Sequence, residues 1–244
     1  MATSFARRIT ALSAVQDVMG ELGLPVPDLL VGNAEKTVAQ FLRLANKAGQ
    51  ILVMDEYKWQ MLTAEFLITT TVGVAEYDLP EDFDGFSSDS SWNRTTRLPV
   101  IGSLQEYEWQ MLKARLLSGT TFTTLFRVEN DQVVFYSTPE SIQEIVMPYT
   151  SRGWCKNATT NDRQDTILDD TDIILFDPQL FKAALRLSFY EVKQFDTVKT
   201  QREYDKVYAA AKASDFPGRT LSLARKSDYP YLGTINVPDT GYGA

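Results

Sequence analysis

The stretch TTTVGVAEYDLPEDFDG, residues 69–85, interrupts a chain that shows helical periodicity on both sides. Residues 65–71 are rich in β-branched and aromatic side chains, and residues 74–79 continue in a strand-like composition. Gly73 lies between them and accepts positive φ without a Cβ penalty, so it predicts a tight turn or bulge. Pro80 cannot donate a ladder hydrogen bond, which ends the second strand at the preceding residue. The pattern predicts a helical scaffold with a β module inserted into it.

Two amphipathic helices are predicted before this stretch. Apolar residues recur at three- and four-residue steps from Phe5 to Leu22, and Gly23 ends that pattern. A second apolar stripe runs along residues 34–57, with Asn33 as its N-cap. Each stripe predicts a helix that buries one face.

Two more helices are predicted after the module. Asp177 followed by Pro178 is typical of a helix start, because Asp caps free amides and proline fits the first helical position. A break at residues 196–197 opens a further helix. Two helices before the module and two after it can bury their stripes against one another.

The module itself is predicted to contain short strands, a turn at residues 129–131 and one helix. Its predicted strands are residues 65–71, 74–79, 120–128, 132–137 and 144–150. Ser103 and Glu106 form a predicted capping box for a helix over residues 103–117. Short strands separated by turns are typical of a small sandwich or open barrel. The polar residues 153–166 that follow the module predict an exposed loop.

The predicted fold class is therefore α+β: a four-helix unit, with two helices before and two after an inserted small β module, and an extended C-terminal tail. The predicted boundaries are residues 1–59 for the N-terminal helices, 60–150 for the β module, 151–215 for the loop and C-terminal helices, and 216–244 for a C-terminal arm.

The order of these elements resembles that of the head-to-tail adaptor proteins of tailed bacteriophages, which form the ring below the portal. The resemblance covers about residues 34–214. It is carried by a strand, a glycine turn, residues 77–83 (YDLPEDF), Trp92, and a short helix that bears Glu106 and Trp109. It implies a non-catalytic structural protein.

Composition excludes several kinds of chemistry. The 244 residues contain no histidine, so Ser-His and Cys-His nucleophile pairs and histidine-ligated metals are impossible. The single cysteine, Cys155, offers no thiolate cluster. The net charge of −8 argues against tight wrapping of nucleic acid. With no run of eighteen apolar residues, no membrane span is predicted. We predict no catalytic residue, no cofactor and no metal.

One carboxylate cluster supports an alternative function. Asp169, Asp170 and Asp172 lie close together in sequence, and carboxylates suit Mg²⁺. A metal-dependent hydrolase or nuclease would use these three side chains. They also precede an apolar run at residues 173–176, where turn and capping residues belong, so a structural role is the competing interpretation.

The predicted binding residues lie in the C-terminal arm, residues 216–244. Prolines and glycines interrupt this segment, yet it is too apolar for an inert linker and is slightly basic. Such a segment can order on a partner, in a groove or as an added strand, or it can pack on its own domain. The candidate partner-binding residues are Arg219, Leu221, Leu223, Arg225, Lys226, Tyr229, Tyr231, Ile235, Val237 and Tyr242.

The resemblance also implies partners and a location. It implies a homo-oligomer that closes as a twelve-fold ring, contacts with the portal protein and with a tail or nozzle protein, and DNA only as cargo in the channel. The location implied is the head-tail connection of the virion, and the host cytoplasm during assembly. A second phage interpretation is a tail-completion or stopper subunit one layer further from the head.

Overall fold

The computed structural model describes residues 8–55, 57–86, 90–114 and 124–215 of the chain. This part is α+β, as predicted, and it contains five α-helices. They are α1 (Ala11–Glu21), α2 (Lys36–Met54), α3 (Glu106–Ala114), α4 (Pro178–Lys193) and α5 (Val198–Asp215), with a 3-10 turn at Gln60–Leu62.

The strands of the described residues form two sheets. They are β1 (Ile9–Thr10), β2 (Thr63–Thr69), β3 (Glu76–Asp78), β4 (Phe83–Phe86), β5 (Trp92–Asn93), β6 (Leu98–Ile101), β7 (Thr124–Glu129), β8 (Gln132–Phe135), β9 (Glu144–Ser151), β10 (Cys155–Lys156), β11 (Arg163–Gln164) and β12 (Ile173–Ile174). The smaller sheet has the order β1-β12-β10-β11. The larger has the order β2-β9-β5-β6-β7-β8-β3, with β4 also paired to β9, and it is nearly closed.

Helix α4 lies against α1, α2 and α5. It begins as predicted: Asp177 accepts hydrogen bonds from two amides of the first turn, at 2.9 and 3.2 Å, and Pro178 occupies the first helical position. On its buried face, the ring of Phe189 stacks on Phe41 of α2 with centroids 4.9 Å apart. One hydrophobic cluster takes residues from all four of these helices.

Residues 153–166 are exposed only in part: residues 158–162 are exposed, as the polarity of the segment predicts, but residues 153–155 are buried. Trp154 and Cys155 are fully buried in the helical core. The Trp154 indole donates to the Asp165 carbonyl at 2.7 Å and lies directly over Gly49 of α2, where a side chain would occupy the space of the ring. The prediction was wrong for this buried part because polar turn residues outnumber the two residues that reach the hydrophobic cluster.

The two sheets are linked through Arg163 on β11. Its guanidinium donates to the carbonyls of Leu62 and Thr63, at 2.9 and 3.0 Å, where the helical part passes into β2. These two hydrogen bonds fix the first residue of β2 in the larger sheet to β11 in the smaller sheet. This side chain supplies donors to main-chain carbonyls at the junction.

The larger sheet encloses a second hydrophobic cluster. Its buried members are Ile68, Val100, Phe126, Val133, Phe135, Ile145 and Met147. The predicted hairpin between β7 and β8 is confirmed, and its turn has positive φ at Asn130 and Asp131, 51° and 59°. The predicted turn at Gly73 is also present, with φ of 80°. The flanking strands, however, pair with different partners: β2 with β9, and β3 with β8.

Three predicted helix ends differ from the structure. Helix α1 begins at Ala11, and the two residues before it pair with β12; residues 1–7, which include Phe5, lie outside the described residues. Helix α2 begins at Lys36, because Asn33 accepts from the Glu35 amide at 2.9 Å and so turns the chain before the helix. It ends at Met54, short of residue 57.

The predicted capping box is wrong. The Ser103 hydroxyl accepts from the amide of Val128 on β7, at 3.3 Å, and so is used across the sheet. Helix α3 begins at Glu106, and Glu108 accepts from the Gln105 amide at 3.0 Å instead. Here a tertiary partner takes the side chain that the local pattern assigns to the helix.

Candidate assembly interface

Two of the three aspartates considered as metal ligands accept hydrogen bonds from main-chain amides. Asp170 accepts from Leu30 and Val31, at 3.1 and 2.7 Å, and ties the α1–α2 connection to the segment before β12. Asp172 is fully buried, and one of its oxygens accepts from the amides of residues 168 and 169, at 2.8 and 2.9 Å. Within the four described ranges, no group of three or more His, Cys, Asp or Glu side chains is placed to hold a metal.

Cys155 is a core residue. Its thiol donates to the carbonyls of Gln164 and Thr166, at 3.3 and 3.1 Å. Burial, with a smaller contribution from the nearby carboxylate of Asp172, raises the pKa of the Cys155 thiol to about 12. A thiol with so high a pKa is not a nucleophile near neutral pH.

The last turn of α5 is joined to the chain just before β2. The Asp215 carboxylate accepts from the Gln60 amide at 2.9 Å and from the Tyr57 hydroxyl at 3.2 Å. Burial, followed by the charge of this carboxylate, raises the pKa of Tyr57. Next to them, buried Trp59 packs edge-on against Tyr208 with centroids 5.9 Å apart. The last described residue, Asp215, therefore lies beside the start of β2.

The residues predicted to bind a partner lie beyond this point. Arg219, Leu221, Leu223, Arg225, Lys226, Tyr229, Tyr231, Ile235, Val237 and Tyr242 are all outside the described residues. Their role stays a prediction. The structure shows where α5 ends, which is next to Gln60 and the start of β2.

The outer face of the larger sheet carries an apolar row that the sequence analysis did not single out. Leu67 of β2 lies opposite Val146 of β9, which lies opposite Trp92 of β5, which lies opposite Pro99 of β6. Leu67 is 54% exposed and Trp92 37% exposed, while Val146 is covered beneath them. Only the strand register, which joins residues far apart in the chain, brings these side chains together. No local sequence signal could have grouped them.

The acidic charge of the protein is concentrated in the sheet segment. Residues 60–150 contain thirteen Asp and Glu but five Lys and Arg, which leaves −8, the net charge of the whole chain. Residues 1–59 are neutral, residues 151–215 carry −1, and the arm from residue 216 carries three Lys and Arg against two Asp. Opposite charges on two surfaces favour their association and set its register. The sheet segment is thus the surface best suited to a basic partner.

The helices of the described ranges include none with both the length and the apolarity to cross a bilayer. In a comparison with known families, a family model described as SU10 adaptor protein matches residues 9–226. No curated protein matches the chain. The matched range includes all five described helices, both sheets and the first residues of the arm.

Proposed function

This chain belongs to the SU10 adaptor protein family, and on that premise we propose that it forms the ring that joins the portal to the tail of a tailed bacteriophage. Membership confirms the resemblance drawn from residues 77–83, Trp92 and the α3 segment. It makes the chain a structural adaptor protein and a virion component that associates with portal and tail proteins. Its function is therefore that of a structural assembly protein.

The observation that carries the proposal is the extent of the family match, which runs through the helices and the sheets and ends inside the arm. In the proposed arrangement, residues 1–59 and 151–215 form one four-helix domain, and residues 60–150 form a separate module. The helical domain makes lateral and portal-facing contacts, and the module faces tail components. Head-to-tail contacts of this kind close into a ring, here twelve-fold, when the rotation between subunits permits.

The charge distribution supports a role for the module near DNA. An excess of carboxylates repels phosphate, so a channel lined by residues 60–150 would let DNA pass without holding it. DNA is cargo in this account and not a ligand. The arm binds the partner through its apolar side chains. Assembly takes place in the host cytoplasm.

Mass photometry of the full chain with the portal protein of the same virion tests the proposal. We expect a complex whose added mass corresponds to a ring of copies. A chain that stays monomeric in the presence of the portal would refute the ring. A chain that binds only tail proteins would instead support the stopper interpretation, in which it lies one layer further from the head.

The role of the arm is tested separately by deleting residues 219–244. We expect weaker attachment to the portal and an almost unchanged melting temperature, because the described helices and sheets contain two hydrophobic clusters of their own. Equal loss of attachment and of thermal stability would mean that the arm belongs to the core of its own subunit.

A further inference from the structure

One edge of the larger sheet is open from Glu65 to Thr69 of β2, beyond Thr63, whose carbonyl accepts from Arg163. Within the described ranges, β2 pairs with β9 alone. The Thr70 amide donates to the Gln143 carbonyl at 2.9 Å, which fixes the phase of the ladder. Antiparallel bonds alternate along a strand, so the main-chain groups of Glu65, Leu67 and Thr69 point away from β9. An unpaired strand edge of this kind can accept another strand.

This edge lacks the features that usually protect an edge strand. Protected edges are short, or carry lysine, proline or a bulge. The β2 sequence TAEFLIT spans seven residues, has no lysine or proline, and keeps regular register with β9 throughout. At the other end of the strand order, β3 has three residues, two of them acidic. The two ends of the sheet therefore differ, and only β2 is suited to strand addition.

The side chains on β2 indicate the chemistry of the strand that it would accept. Leu67 is 54% exposed and lies next to Val146 in the apolar row, so an apolar residue opposite Leu67 would bury it further. The Glu65 side chain is 68% exposed, and its contact with Arg94 at 3.5 Å leaves it open to a second cation. The strand that fits has an apolar residue and a basic residue two positions apart on one face.

We propose that the β2 edge binds residues 219–225 from the arm of a second copy of this chain, an inference that rests on the proposed ring. In this segment, RTLSLAR, Leu221 and Leu223 fall on one face of an extended strand, with an arginine at each end of the same face. In an antiparallel register, Leu223 lies opposite Leu67, and Arg225 lies opposite Glu65.

A second copy is favoured over the arm of the same subunit by the direction of the chain. Asp215 is bonded to Gln60, three residues before β2 begins, so the subunit's own arm leaves at the root of β2. From there it would run beside β2 in the same direction. Parallel pairing is less stable per residue than antiparallel pairing, and a neighbour's arm can enter from the far end of β2. Repeated around a ring, each copy would donate its arm to the next.

Disulfide cross-linking between copies tests this pairing. Full-length chains carrying Thr69→Cys are mixed with larger, tagged chains carrying Leu221→Cys, assembled with the portal, and oxidised. Cα atoms of directly opposed strand residues lie within the range that a disulfide spans. We expect a covalent product of one chain of each kind. Chains carrying Glu76→Cys on β3 are the matched control, because β3 is the other end strand, and they should give no such product.

The outcomes separate this proposal from the proposed function. A cross-link at monomer mass in the T69C/L221C double variant, with none between chains, would overturn the second-copy proposal and leave the ring intact. Assembled rings without any link would overturn the strand addition itself. Failure of wild-type chains to assemble on the portal would refute the proposed function, and this inference with it. A charge test runs in parallel: E65R should lower the cross-linked yield several-fold, and R225E on the tagged chain should restore it.

Discussion

Replacing Gly49 with alanine tests the packing of residues 153–166 against the helices. A Cβ at Gly49 would lie 2.3–2.6 Å from three ring atoms of Trp154. The ring cannot withdraw easily, because its Nε1–H is bonded to the Asp165 carbonyl at 2.7 Å and its plane stacks on Phe181 with centroids 5.6 Å apart. Overpacking of a core typically costs about 1–3 kcal/mol. Because the neighbouring ring is rigid, we expect the overpacking cost of this substitution to lie at the upper end of that range, about 3 kcal/mol.

Helix propensity acts in the opposite direction, since alanine stabilises a helix interior by about 1 kcal/mol relative to glycine. The net expectation for G49A is a loss of about 2 kcal/mol, from the difference between these two effects. At about 2–4 °C per kcal/mol for a chain of this size, the melting temperature should fall by about 4–8 °C.

Gly20 in α1 supplies the matched control. A Cβ there would meet only the Val26 side chain, at an ordinary 3.9 Å. G20A should therefore raise stability by about 0.5–1 kcal/mol through helix propensity alone. Thermal unfolding followed by circular dichroism compares the two variants. If G49A melts at or above the wild-type temperature, Trp154 does not pack on α2, and the segment is the surface loop that its polarity predicts.

Three further predictions concern side chains with structural roles. D170A should lower the free energy of unfolding by about 2–3 kcal/mol, because it leaves the amides of Leu30 and Val31 without a charged acceptor. Mg²⁺ should change the melting temperature of neither the wild type nor D170A. Stabilisation of the wild type alone by Mg²⁺ would instead support the hydrolase alternative. The raised pKa of the Cys155 thiol contributes to the free energy of unfolding, fully below pH 9 and progressively less as the pH rises towards 12. Urea unfolding at pH 8 and 10.5 should therefore show a larger loss of stability for the wild type than for C155A. An equal loss in both proteins would contradict this prediction. D215A should lower the melting temperature by releasing the end of α5, and an unchanged value would mean that its hydrogen bonds contribute nothing.

The elements that depend on interactions between neighbouring residues were predicted correctly from the sequence. The α4 start depends on Asp177 and Pro178, and the β7–β8 turn depends on Asn130 and Asp131, all of which act on their immediate neighbours. Gly73 forms its turn for the same reason. The α+β class follows from the periodicity of the long helices, which covers enough residues to outweigh errors at their ends.

Features that depend on distant partners could not be predicted. The Ser103 hydroxyl bonds to Val128, 25 residues away, so the local capping pattern is misleading. Trp154 is buried because Gly49 leaves room for it in a helix about a hundred residues earlier. The outer face of the larger sheet is set by the register of β2 and β9. That register also creates the open edge, so the surface proposed for assembly had no signature in the sequence.

The most direct test of the account is a cryo-electron microscopy map of the head-tail junction of the virion. We predict a ring of copies of this chain in contact with the portal. Each arm from residue 216 reaches onto a neighbouring molecule, and the acidic segment of residues 60–150 faces the channel or the tail. A map in which another ring separates this chain from the portal, or in which every arm folds onto its own subunit, would contradict it.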